Sequence, residues 1–162
     1  MYLPFQEMPE TARVWIYQSD RNFNPEELEF IKEKLAAFCD QWNTHGRLMP
    51  TSFDLQYDRI IILAVDEANL GASGCSIDSS VKVLRDIEQK LQVNLLDQGK
   101  VSFINEENVV TSKLQELKKH IETGNLKEET PVFNPLVSKK QDLSDSWLIP
   151  AKDSWLKKYF LH

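Results

Sequence analysis

Apolar and polar positions alternate from Ala12 to Gln18, with Ala12, Val14 and Ile16 set against Arg13, Trp15 and Tyr17, the pattern of a half-buried strand. Asn24-Pro25-Glu26-Glu27 then predicts a helix start. Asn24 can cap it, Pro25 suits a first turn that needs no backbone donor, and Glu27 stands at the capping-box position. The stripe Leu28, Ile31, Leu35, Phe38, Trp42 continues at helical spacing and puts Cys39 beside the buried face as core filler. The helix ends near Asn43-Thr44-His45-Gly46. "SFDLQYDRIIILAV" predicts two strands around a tight turn near Asp58-Arg59. In the first, Phe53, Leu55 and Tyr57 alternate with Asp54 and Gln56; the second, Ile60 to Val65, is apolar on both faces, as a central strand covered on both sides requires. Ile77, Val81, Leu84, Ile87 and Leu91 mark a second amphipathic helix, and "KVSFIN" a fourth strand.

Strand, helix, strand, strand, helix, strand is the order of a split βαβ unit, so an α+β fold with a ferredoxin-like core is expected over residues 10 to 107. Residues 108 to 162 read as an elaboration of the same domain. Val110, Leu114, Leu117 and Ile121 suit a helix closed by Gly124. Pro131 and Pro135 make "PVFNPLV" extended and confine any strand there to an edge. Trp147, Trp155, Tyr159 and Phe160 load the C-terminal stretch with aromatic surface that either packs back on the domain or meets a partner.

At 162 residues and 41% hydrophobic content the chain can bury a core without disulfide or metal staples. No stretch approaches the roughly 18 apolar residues of a bilayer span. "MYLPFQEMPETARVW" has no basic region followed by an apolar run, so no secretory signal is expected. The only cysteines, Cys39 and Cys75, fit a reducing compartment, and a cytoplasmic location follows as the expectation. A net charge of −6 argues against sequence-independent nucleic-acid binding. The pairs Lys118-Lys119, Lys139-Lys140 and Lys157-Lys158 read as solvated faces.

The segment "VDEANLGASGCSIDSS", Val65 to Ser80, carries the candidate chemistry. An apolar strand running into Asp66-Glu67 has the form of a Walker B strand, which is useless without a glycine-rich phosphate cradle. The one Gly-Lys pair, Gly99-Lys100, has Asn94 where the first glycine belongs and Val101 where the hydroxyl belongs, so P-loop ATPase activity is not expected. "GASGCSIDSS" instead predicts a helix N-terminus capped by Ser76 or Asp78, with free backbone donors suited to an anion. Cys75 falls at that end, where a thiolate is favoured. Three readings follow. Gly74, Cys75, Ser76, Ser79 and Ser80 bind a small anionic ligand or a protein partner, with Arg13, Trp15, Tyr17 and Arg21 as neighbours from the first strand. Alternatively, Cys75 is a nucleophile assisted by Asp78 or His45, or the segment is only a structural cap. No metal-ligand spacing or dinucleotide fingerprint is present, so neither a metal nor a cofactor is expected.

"YLPFQEMPETARVWIYQSDR", "ASGCSIDSSV", "VFNPLV" and the tryptophan-containing end together resemble an uncharacterised family of small Bacteroidetes proteins often labelled "ABC transporter ATPase". The resemblance implies a bacterial, cytoplasmic, single-domain protein with no assigned activity. The ATPase label conflicts with the missing phosphate cradle.

Overall fold

The computed structural model describes residues 1–161. Strand β1 (Arg13–Gln18) is followed by helix α1 (Pro25–Gln41), whose capping box is complete: the Asn24 side chain accepts from the Glu27 amide, and the Glu27 carboxylate accepts from the Asn24 amide. A short hairpin, β2 (Asn43–Thr44) and β3 (Arg47–Leu48), leads to the strand pair β4 (Thr51–Gln56) and β5 (Ile60–Val65). Tyr57 and Asp58 take left-handed backbone at that turn, both with φ 55°. Helix α2 (Gly74–Leu91) comes next, then the second hairpin β6 (Lys100–Asn105) and β7 (Asn108–Lys113). The remainder holds α3 (Leu117–Glu122), β8 (Pro131–Phe133), α4 (Asp142–Asp145) and β9 (Leu148–Pro150), then short turns of 3₁₀ helix. No helix among the described residues is long and apolar enough to cross a membrane.

The strands form antiparallel sheets in a mixed α+β fold. The first sheet has the order β1-β5-β4, and the second β7-β6-β8-β9. Every residue of β5 is buried, because its two faces meet different layers. Ile61, Leu63 and Val65 face α1 and α2, joining Ile31, Leu35, Leu84 and Ile87. Ile60, Ile62 and Ala64 face the other way and pack with Val14, Phe133 and Trp147, with Ile104 and Val109 of the second sheet at their margin. A third cluster, including Val101, Phe103, Leu117, Leu126 and Leu156, closes the outer side of the second sheet. Each fully buried Ile or Leu contributes about 1.5–3 kcal/mol, so this two-sided burial makes β5 the stabilising axis.

Several expectations need correction. The fourth strand of the split βαβ pattern, β6, pairs with β7 and β8 and not with β1. Val110 does not begin a helix. It belongs to β7, because Glu106 and Glu107 adopt positive φ (51° and 71°) and turn the chain back on β6 in register Phe103↔Val110. The helix that follows is confined to Leu117–Glu122 and is closed at Gly124 (φ 80°). Strand β8 lies inside the second sheet and not on its edge. The exception holds because Pro131 is the first strand residue and β6 meets β8 only at Phe103↔Val132, so the missing proline donor interrupts no ladder bond. Of the C-terminal aromatics, Trp147 is buried and Trp155 is exposed.

Candidate functional site

The start of α2 is capped by Ser73 and not by Ser76 or Asp78: the Ser73 side chain accepts from the Ser76 amide at 3.2 Å. Asp66 and Glu67 shape the preceding loop. Asp66 accepts from the Ala68 amide at 3.0 Å, and Glu67 from the Ala72 amide at 2.8 Å. Glu67 also pairs with Arg13 at 3.6 Å. These carboxylates hold backbone in place, and no metal-sized cluster of His, Cys, Asp or Glu occurs among the described residues.

The small residues of α2 answer to the aromatic residues beneath them. Ser76 and Ser80 are buried, and with Val83 and Ile87 they centre the covered face roughly 70° round the helix from the expected Ile77-Val81 stripe, at about 100° per residue. The Trp42 indole donates to the Ser76 carbonyl at 2.8 Å, in a buried bond. Tyr17 lies against Ser80; burial raises its phenol pKa, and the Ser80 hydroxyl partly offsets this. Trp15 packs on Trp42 with ring centroids 5.9 Å apart, and the Arg13 guanidinium sits 4.6 Å over the Trp15 ring. A serine costs little volume and bonds its own helix, as Ser80 does to the Ile77 carbonyl at 2.6 Å. The serine run is therefore first a packing device.

What remains open at this end is small. Gly74 and Cys75 are exposed, and among the described residues no acceptor meets their amides. The Cys75 thiol is free. Ser79 is exposed and donates to the Cys75 carbonyl at 3.0 Å. His45 sits in the β2–β3 hairpin, which adjoins α2 through the Thr44 hydroxyl and the Ser73 amide at 3.1 Å, so it lies at the same end of the sheet. No hydrogen bond joins the Cys75 sulfur to His45 or Asp78 among the described residues, and both side chains are exposed. Arg21 lies elsewhere. It grips Glu27 with two bonds of 2.8 Å and donates to Leu91, the last residue of α2, about 25 Å along the helix from Gly74. That pairing and the Asn24 amide hold the Glu27 carboxylate at about 2, well below its ordinary value.

A concavity lies along β1. Five consecutive residues, Val14 to Gln18, line it, which places it on the strand's edge and not on either face; Phe133, Asn134, Pro135, Val137 and Trp147 form the far wall around about 240 Å³. The edge is free because β6 went to the other sheet. Only its beginning is covered: Val14 donates to the Ser138 carbonyl and Lys140 to the Ala12 carbonyl, each at 2.9 Å, around the bridge Arg13↔Lys139. The far end is closed by Lys100, whose ammonium donates to the Gln18 carbonyl and to Asn94. Burial lowers the Lys100 pKa, with Asp20 opposing.

Between those two closures the strand is unpaired. Because Val14 donates away from β5, Ile16 and Gln18 also point their backbone groups outward. Among the described residues nothing bonds the Val14 carbonyl, either Ile16 group, or the Gln18 amide. The Gln18 side-chain Oε1 is buried with no donor. A second cavity, also about 240 Å³, shares Gln18, Gln98, Phe133 and Pro135 with the first and extends to Leu114, Leu136 and Trp155. The sequence reading missed this groove. Its local signals were Asn134 and Asp142, short side chains that accept the Leu136 and Ser138 amides a strand on β1 would need. Comparison with protein-family models, with curated proteins and with solved structures finds no match to this chain.

Proposed function

We propose that the protein is a non-catalytic binding domain that receives its ligand or partner in the groove along β1. The observation that supports this reading is a run of unsatisfied backbone donors and acceptors beside a buried, donorless Gln18 oxygen, in a groove of mixed polar and apolar lining that includes Phe133, Pro135, Val137 and Trp147. We read the core as a ferredoxin-like unit short of one strand: the order β1-β5-β4 with two covering helices is three quarters of such a sheet, and the groove occupies the place of the fourth strand. A cytoplasmic setting goes with it, in keeping with two cysteines that stay unpaired, one buried and one exposed.

Titration of the ¹⁵N-labelled chain with N-methylacetamide tests the reading. Shifts confined to Ile16, Gln18 and Gln98 are expected; an unchanged groove would refute it. Inorganic phosphate in the same experiment addresses the α2 start, where the free Gly74 and Cys75 amides favour an anion. The exposed Cys75 sulfur supports a second reading as a thiol-dependent enzyme. Iodoacetamide at about pH 6 decides that one, since a catalytic thiolate reacts far faster than a free thiol.

A further inference from the structure

We infer that the occupant of the β1 groove is an extended peptide segment that adds to the first sheet as a strand, with one bulky apolar side chain seated beside Leu136 and Trp155. This rests on the groove reading above and names its partner. The chemistry of the edge selects a backbone. Val14 offers a carbonyl, Ile16 an amide and a carbonyl, and Gln18 an amide, alternating over about 13 Å at roughly 3.3 Å per residue. An incoming strand of three to five residues pairs with all four, whereas a small anion meets only the donors.

The edge already accepts such pairing from its own chain. Residues 138–140 lie antiparallel on Ala12–Val14, in a register that would carry Leu136 opposite Ile16 and Asn134 opposite Gln18. The chain leaves that register at once, for reasons that can be named. The Ser138 amide, due to meet the Val14 carbonyl, donates instead to Asp142 Oδ2 at 3.0 Å, beside the Lys139 amide at 3.1 Å. Those two donors lower the Asp142 pKa. The Leu136 amide, due to meet the Ile16 carbonyl, is taken by Asn134 Oδ1 at 3.0 Å, and the Asn134 amide by the Trp147 carbonyl at 2.8 Å. A strand-ready edge is thus left beside a wall whose own hydrogen bonds are satisfied elsewhere.

The apolar end fixes the second requirement. Leu136 is 81% exposed and Trp155 39%, and both line the cavity continuous with the edge. Apolar surface next to unpaired backbone is what a strand-adding peptide covers with one side chain. Gln18 Oε1 asks in addition for a donor from that peptide.

The test is selection of random heptapeptides displayed on phage against the full chain, followed by resynthesis of the selected peptides with single N-methyl groups. Expected are ¹⁵N shifts at Ile16 and Gln18. N-methylation at alternate peptide positions should weaken binding about tenfold each, and at intervening positions little. Ile16→Pro should weaken every selected peptide similarly, since the Ile16 amide makes no ladder bond to β5; if that variant misfolds, the N-methyl scan decides alone. Binders that ignore N-methylation, binders that shift other surfaces, or no binders at all overturn strand addition. N-methylacetamide that shifts Gln18 and Gln98 in that last case leaves the binding-domain reading standing, and a silent groove removes both.

Discussion

Cys39 gives a stability change that reverses sign with pH. Its thiol is fully buried, and burial pushes it up to about 12 from an ordinary 9. A group whose folded value is raised contributes stability that is complete below the unfolded value and lost as pH climbs through the folded one. Between pH 9 and about 12 the folded chain therefore loses about 1.4 kcal/mol per unit on account of this thiol. Cys39→Ala removes that loss and leaves a small cavity costing about 1 kcal/mol. At about pH 8 the substituted chain should be the weaker by that amount; at about pH 11 the natural chain has lost about 2.7 kcal/mol more, so the order inverts. Urea unfolding of both chains at the two pH values reads it directly. Contributions from every other group are common to both chains and cancel in the difference. Parallel stability profiles across that range would refute a sealed Cys39.

Two further outcomes follow from the packing of the helices. Glu27→Gln loses the paired Arg21 contacts and weakens the capping box, and should cost about 1 kcal/mol in urea unfolding at neutral pH. Because the Glu27 value is lowered, its contribution is present above pH 4.5 and lost as pH falls toward about 2, so the two chains should converge in acid. Trp42→Phe deletes the buried donor to the Ser76 carbonyl and should cost about 1–2 kcal/mol by thermal or urea unfolding, with the larger effect marking α2 as dependent on that bond.

The parts of the fold carried by side-chain periodicity were legible in the chain. The capping box of α1 and the two-sided apolar run of β5 follow from local chemistry and are found where their residues place them; β1 is a strand as its alternation requires but not a half-buried one, since Tyr17 is buried on the helix side and Val14 on the other. What periodicity does not encode is partner choice. Nothing within "KVSFIN" tells β6 to join β7 instead of β1; that depends on Glu106 and Glu107 accepting positive φ, which lacks the Asn-Gly signal of such turns. The serines of α2 were misleading for a related reason. Ser76 and Ser80 look like free donors in sequence, yet Trp42 and Tyr17, distant along the chain, cover them. The β1 groove is the consequence of that same non-local choice, since it exists only because the expected fourth strand went elsewhere.

Native-state hydrogen exchange of the β1 amides tests the central claim most directly. With the outward edge unpaired between the Ser138 bond and Lys100, Ile16 and Gln18 should exchange quickly, while Trp15 and Tyr17, bonded to β5, and Val14, bonded to Ser138, exchange slowly. Uniform protection from Val14 to Gln18 would mean that another segment already completes the sheet, and the groove with its proposed occupant would be contradicted.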